Sequence, residues 1–257
     1  MTKVKLNKSG HVAQITIESP PANALSSSII QEIDKHLDTI EEDKAIKAVV
    51  LHGEGRFFSA GADIKEFTDI ESPEQFSKLS LNGQEVFKRI EDFHIPVIAA
   101  IHGAALGGGL ELAMSCHMRI VSKSAKLGLP ELTLGLIPGF AGTQRLSQLI
   151  GTPKAIELML TSDSIDGAEA VALGLANRAV EDEEVLQEAL TLAEKIAAKS
   201  KPTIEKIMEL VAYARAGNYD QGAKEEALAF GEIFATEDAA EGISAFIEKR
   251  KPHFKDK

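Results

Sequence analysis

A chain of 257 residues, 44% hydrophobic and 26% charged, has the composition of an ordinary globular protein and is long enough to bury a substantial core, in one large domain or one domain with an appendage. Its net charge of −11 withholds the basic footprint that nonspecific nucleic-acid binding needs, and no apolar run approaches the roughly 20 residues that cross a bilayer. Cys116 is the only cysteine, which excludes an intrachain disulfide and a cysteine-based zinc site. Residues 1–6 carry neither an apolar signal core nor an Arg/Ser-rich presequence, so cytoplasm is the expected location.

In chain order, Val4 and Leu6, then Ala13, Ile15 and Ile17, alternate with more polar neighbours and predict two strands around a Lys8-Ser9-Gly10 turn. Pro20-Pro21-Ala22-Asn23-Ala24 predicts a stiff loop, and Ser26 to Ser28 supply a cap for a helix with the apolar face Ile29, Ile33, Leu37 and Ile40. Ala48-Val49-Val50-Leu51 reads as a short strand covered on both faces, running into a loop of small residues that ends at Asp63. A helix is expected over residues 73–92, a buried strand over 97–101, a helix over 109–115 and a strand over 118–121. The repeated theme of apolar strand, small-residue loop and helix is that of an α/β core. Residues 129–139 are loop-rich; short helices follow over 143–150 and 153–160, with Gly151 as a C-cap. Beyond residue 182 the pattern is almost wholly helical. Val185, Ala189, Leu192 and Ile196 form one stripe, and Ala223, Ala227, Phe230 and Phe234 another. This divides the chain into a core, 1–195, and a helical appendage, 196–257.

The chemistry concentrates at Ile101-His102-Gly103-Ala104-Ala105-Leu106-Gly107-Gly108-Gly109-Leu110-Glu111. Glycine loses more backbone freedom on folding than any other residue, so three in a row after a buried strand point to a need for bare backbone there. A second loop, 59–63, has the same setting, and a second isolated acid, Glu131, follows Glu111 in apolar surroundings. Each feature alone has a plain structural explanation: a packing turn, a dipole partner, a surface acid. Ser59 stands in no nucleophile motif; His94, His102 and His117 read as structural, and Cys116 as core. Phosphate-loop, zinc-protease and nucleophile-elbow motifs are absent, and neither glycine cluster completes a dinucleotide fingerprint. The basic tail, Lys249, Arg250, Lys251, Lys255 and Lys257, reads as a solvated terminus or an anion patch.

Taken together, Phe58-Ser59-Ala60-Gly61-Ala62-Asp63-Ile64-Lys65-Glu66, Gly107-Gly108-Gly109-Leu110-Glu111-Leu112-Ala113 and Pro130-Glu131-Leu132-Thr133-Leu134-Gly135-Leu136-Ile137-Pro138-Gly139 resemble the enoyl-CoA hydratase (crotonase) family. The likeness continues through Gly142-Thr143-Gln144-Arg145-Leu146 and Ala245-Phe246-Ile247-Glu248-Lys249-Arg250, so it spans essentially the whole chain in order. It implies a crotonase-type spiral of ββα units with a helical C-terminal region that builds a homotrimer, commonly paired into a hexamer. The implied activity is reversible addition of water to a trans-2-enoyl-CoA, a step of fatty-acid metabolism such as β-oxidation, with no metal or redox cofactor; the partner is the acyl-CoA thioester, with no nucleic acid and no membrane.

By the same resemblance, the backbone N–H groups of Ala62 and Gly108 form the oxyanion hole for the thioester carbonyl, and that of Gly139 helps hold the water. Glu111 is assigned mainly as water-activating base and Glu131 mainly as proton donor, in a pair whose coupling resists individual assignment. Adenine is expected against the backbone of residues 60–64, with Ala60, Asp63 and Ile64 at the coenzyme and Arg56 and Lys65 near its phosphates. Residues 66–80 help line the acyl pocket. A neighbour's basic tail is a further closing element. Two positions depart from the family pattern: Ala141 stands where glycine is frequent, and His102 where a small polar residue is. An enoyl-CoA isomerase is the alternative enzyme. From other classes, a noncatalytic acyl-CoA- or RNA-binding relative, or a serine peptidase using Ser59, would keep the fold.

Overall fold

The computed structural model describes residues 3–68 and 71–257. Residues 1 and 2, which open the stretch read for a targeting signal, and residues 69 and 70, within the 66–80 stretch, lie outside the described residues. Strands β1 (Val4–Ser9) and β2 (Val12–Ile17) form the expected antiparallel hairpin, with Val4 opposite Ile17. Helix α1 (Ser27–Glu42) starts at Ser26, whose hydroxyl accepts the Ile29 N–H, and it buries Ile29, Ile30, Ile33, Leu37 and Ile40. Next come β3 (Ala48–Gly53), the four-residue α2 (Ile64–Phe67) and α3 (Pro73–Glu91), which is capped by Ser72 and has proline at its first position. Strand β4 (Val97–Ile101) leads through β5 (Ala104–Leu106) into α4 (Gly108–Ser115), β6 (Met118–Ser122) and β7 (Lys126–Gly128). A 3-10 turn at Glu131–Leu134 precedes α5 (Gly142–Ile150), α6 (Thr152–Thr161), α7 (Gly167–Ala172) and β8 (Arg178–Val180). After a second 3-10 turn at Asp182–Glu184, the chain ends in α8 (Val185–Ala197), α9 (Lys201–Arg215), α10 (Tyr219–Phe234) and α11 (Glu237–Ile247).

Six strands form one sheet in the order β1-β2-β3-β4-β6-β8, parallel throughout except for the β1–β2 hairpin, while β5 and β7 pair separately. Val49 lies opposite Val97 and Leu51 opposite Ala99, so alternate residues of β3 and β4 share a face. On one face Val49, Leu51, Val97, Ala99 and Ile101 meet Ile29, Ile33, Phe87 and Ile90 of α1 and α3. On the other, Ala48, Val50, Ile98, Ala100 and Ile120 meet Val185, Ala189, Ala193 and Ala197 of α8. Burial on both faces is why these strands read as continuous apolar runs.

Two differences from the sequence reading have simple causes. Strands β5, β7 and β8 are three residues each, too short for an alternation to register. The 195/196 division falls inside α8, because that helix covers the second face of the sheet along its whole length. In the helical appendage the stripe on α10 is not covered within the chain: Phe230 and Phe234 are 76% and 65% exposed, and with Ile207, Ile233 and Ile243 they border an open apolar groove of about 790 Å³. Periodicity reports that a helix has an apolar face, not which surface covers it. Among the described residues no helix is long and apolar enough to cross a membrane.

Phe87 is fully buried and its ring packs against Phe140 at 5.2 Å between centroids. Phe87→Ala should cost about 3–5 kcal/mol, read as a lowered denaturation midpoint with unchanged slope; a loss below about 1 kcal/mol would mean the core collapses into the space.

Candidate active site

Two loops at the C-terminal ends of adjacent parallel strands build the site, in the crevice where such sheets place ligands. Residues 59–63 follow β3, and Gly107 follows the β4–β5 segment. They are stitched together: the Ser59 N–H donates to the Ala104 carbonyl, and the Leu106 N–H donates to the Ser59 carbonyl. Gly107 has φ 51°, a left-handed value that favours glycine, and a Cβ there would lie 2.9 Å from the Glu131 carboxylate. Gly109 packs so closely on Ser59 that a Cβ would sit 2.4 Å from its carbonyl oxygen. The glycine triplet is thus bare for two different reasons, torsion at Gly107 and space at Gly109.

Gly108 opens α4, where backbone N–H groups have no intrahelical acceptor. A Cβ on Gly108 would be 3.3 Å from the Ala62 nitrogen, so the two backbones lie against each other, and among the described residues neither N–H donates to a protein acceptor. With the positive end of α4 at Gly108, donors placed in this way can serve an oxygen bearing developing negative charge.

Glu111, one turn further along α4, is only 1% exposed. Its Oε1 accepts N–H bonds from Phe140 (2.8 Å) and Gly142 (2.7 Å). Glu131 enters from the 3-10 turn, and its Oε2 is buried without a partner among the described residues. Both carboxyls line one cavity of about 210 Å³ with Ala62, Gly108 and Gly139, walled by Phe67, Phe76, Leu79 and Phe140. Burial first, and then the charge of Glu131, push Glu111 up to about 7, against the pull of the Gly142 and Phe140 N–H groups and of Arg145. Burial likewise raises Glu131 above the usual carboxylate range. With Glu111 raised to about 7 and Glu131 above its ordinary value, the pair resists ionising together, the condition for one to give a proton while the other takes one.

A family model described as enoyl-CoA hydratase/isomerase matches residues 7–257. The chain is 54% identical over 256 residues to a probable enoyl-CoA hydratase of Bacillus subtilis, covering 99% of both chains. It is 42% identical to a short-chain-enoyl-CoA hydratase of Clostridium acetobutylicum, covering 98% of this chain and 97% of that one. The crystal structure of an enoyl-CoA hydratase from Bacillus anthracis superposes with a TM-score of 0.95 at 36% identity, covering 100% of both chains. The chain belongs to the enoyl-CoA hydratase/isomerase family.

Within this crotonase fold, the expected site residues separate into two groups. Glu111, Glu131, Ala62, Gly108, Gly139, Ala60 and Ile64 all line the cavity. Asp63 does not: its Oδ1 accepts the Lys65 N–H at 3.2 Å and caps α2. Arg56 and Lys65 are exposed beside the loop, the Arg56 guanidinium 4.8 Å from the Phe57 ring centre. The basic tail lies elsewhere in its own chain. Arg250 pairs with Glu241 and Glu248, and Asp256 accepts from Lys47 just ahead of β3, at the end of the sheet away from the site.

The histidines and Ser59 have structural places. His117 accepts the Val97 N–H and faces the Glu91 carbonyl, and burial pushes it down to about 4. His102 ties to the Gly55 carbonyl at 2.9 Å, which accounts for the departure at that position. The Ser59 hydroxyl donates to the Asn23 carbonyl, and among the described residues no histidine is hydrogen-bonded to it. Ala141 has φ 66°, a left-handed conformation, which explains why glycine would suit it. Sequence reasoning missed the two N–H groups that hold Glu111; their signal was Gly142, where a Cβ would fall 2.7 Å from the Glu111 carboxylate.

Because the folded Glu111 carboxyl lies above the ordinary glutamate value of 4.5, the folded chain binds its proton more tightly than the unfolded chain does. That contribution to stability is fully present below about pH 4.5 and is lost as pH rises through about 7. Glu111→Gln removes the titration, so its Tm should gain on that of the wild type between pH 5 and 8. A constant offset across that range would show that Glu111 titrates normally.

Proposed function

We propose that this cavity adds water across the double bond of a trans-2-enoyl-CoA thioester, giving the 3-hydroxyacyl-CoA, and that the reaction runs in both directions. The observation that carries the reading is the placement of two carboxyls, Glu111 buried and Glu131 half-buried, on one small cavity beside the Ala62 and Gly108 backbones, whose N–H groups have no protein acceptor among the described residues. Relatives named as hydratases, one of them a crotonyl-CoA hydratase at 40% identity over 253 residues, support the same chemistry.

In this reading the thioester oxygen sits on the N–H groups of Ala62 and Gly108. Glu111 takes a proton from water as the oxygen attacks C3; the electrons move through C2 to the thioester oxygen, where the two donors hold the enolate charge. One such donor is worth about 3–4 kcal/mol in a comparable acyl-transfer site. Glu131 then delivers a proton to C2. Glu111 suits the base because two N–H groups and Arg145 favour its anion, whereas the unpartnered Glu131 Oε2 suits a neutral acid. The Gly139 N–H helps hold the water. The sum is addition of one water with no change of oxidation level, chemistry that calls for no metal or redox cofactor. Backbone at Ala60 and Ile64 meets the coenzyme, with Arg56 and Lys65 toward its phosphates and Asp63 fixing α2 beneath them.

The same reading assigns α9 to α11 to self-association. Phe230, Phe234 and Phe246, the last 84% exposed, would be covered in a homotrimer or a hexamer of two trimers, where a neighbour's tail comes near the site. A sedimentation mass three or six times that of the chain is expected, and a monomer at micromolar concentration would refute the assignment.

The direct assay is crotonyl-CoA with purified protein. Loss of the enoyl absorbance is expected, with Glu111→Gln and Glu131→Gln each lowering kcat by about 10²–10⁴-fold. Unchanged absorbance together with isomerisation of a 3-enoyl-CoA would overturn the hydratase reading, and a near-normal rate in either variant would remove that acid from the mechanism.

A further inference from the structure

The loop that holds Glu111 is itself held from behind. Phe140 uses its two backbone groups in opposite directions: its N–H donates to Glu111 Oε1, while its carbonyl accepts from Arg145 Nη1 at 2.7 Å. Arg145 is buried in the first turns of α5, just beyond Gly142, whose N–H is the other donor to Glu111. The rest of its guanidinium is spent on Glu91 at the end of α3, with Nη2 at 3.0 Å and Nε at 3.3 Å from Oε2. Glu91 is fixed in turn by α9. Arg215 donates to the Glu91 carbonyl at 2.7 Å and to Asp92 at 2.9 Å, and its Nε lies 3.5 Å from Glu91 Oε1. A planar guanidinium fork satisfies a carbonyl and a carboxylate at once, which a lysine cannot reproduce.

We propose that Arg145 is a positioning residue for Glu111: anchored by Glu91, it clamps the Phe140 to Gly142 loop whose two N–H groups aim and hold the carboxylate. Arg145 is absent from the walls of the Glu111–Glu131 cavity and faces a separate cavity of about 620 Å³ with Glu91, His117, Arg119 and Arg215, so it acts through the loop and through its charge, not by touching substrate. The charged groups that bear on Glu111 are few. Glu131 from the 3-10 turn opposes its ionisation, and Arg145 from α5 favours it. Helix α3 presents the uncharged Ser80 and Gln84 to the Gly139 carbonyl of the same loop. Arg145 is thus the one cation acting on this carboxylate among those groups, and its loss removes both the charge and the grip on Phe140.

The hydratase reading gives the kinetic readout its meaning, so the test has a second readout free of turnover. The Glu111 carboxyl is titrated by carbon-13 NMR on glutamate-labelled protein, its signal assigned by its loss in Glu111→Gln. In Arg145→Met the Glu111 titration should move to higher pH by about half a unit or more, since an opposite charge is lost. In the crotonyl-CoA assay kcat should fall by about 10–100-fold from misplacement of the carboxylate, with KM within about threefold of the wild type. Arg145→Lys, which keeps the charge without the fork, should fall between wild type and Arg145→Met in both. Should Arg145→Met not fold, Glu91→Gln loosens the clamp while leaving Arg145 in place, and a several-fold loss of kcat at unchanged KM is expected. A folded Arg145→Met with wild-type Glu111 titration overturns the proposal, and so does a Glu91→Gln enzyme with wild-type kcat. Failure of the wild-type protein to hydrate any enoyl-CoA refutes the functional reading instead, and leaves the NMR comparison decisive for the clamp.

Discussion

A carboxylate buried as deeply as Glu111 has to be held, and two peptide N–H groups of a single loop hold it. An isolated ionised carboxyl in such a place would cost several kcal/mol. Much of the surrounding geometry follows from this one requirement. Gly142 has no room for a side chain because the carboxylate lies against it, and Ala141 accepts a left-handed backbone so that the chain can present both N–H groups to the same oxygen. Phe140 then sends its ring the other way, against Phe87 and over Gly83, and the closing loop of the cavity becomes part of the core. Site and core are therefore not separable here: the ring that packs the interior belongs to the residue whose N–H holds the acid.

The sheet supplies what the loops cannot. Parallel strands β3 and β4 end side by side, so the loops that follow them emerge at one edge and can be cross-linked by main-chain hydrogen bonds. Helix α4 is short and wholly buried, which lets its first N–H groups meet the cavity without water in competition. Covering β3 and β4 on both faces, with α1 and α3 on one side and α8 on the other, removes the freedom that would let the two donors drift apart.

Legibility in the sequence tracked the distance over which each feature is encoded. The amphipathic spacing of Ile29, Ile33, Leu37 and Ile40 is local, and α1 formed where it predicted. The buried runs at β3 and β4 are local as well. Glu111 and Glu131 stood out because acids in apolar stretches are rare, and their resemblance to a known pattern joined them before any distance was known. What escaped were relations across space. The pairing of Arg145 with Glu91 spans 54 positions, and nothing near either residue in the chain announces it. Asp63 shows the opposite hazard. It lies inside a matching motif, yet its carboxylate serves the helix behind the loop rather than the cavity.

Helix α4 carries a different charge at its far end. Arg119 is buried with no carboxylate partner among the described residues, and its guanidinium is satisfied by the carbonyls of Ala113, Cys116 and Leu175, two of them at the C-terminus of this helix. Burial pulls its pKa down from the ordinary arginine value, but a guanidinium keeps its proton across the range in which proteins remain folded. One end of α4 therefore bears a fixed cation, and the other faces a pair of acids held above the ordinary carboxylate range, of which Glu111 changes state near pH 7. The electrical background of the helix is constant, and only the foreground switches. Near neutrality the charge of Arg119 is therefore a constant against which the change at Glu111 is read.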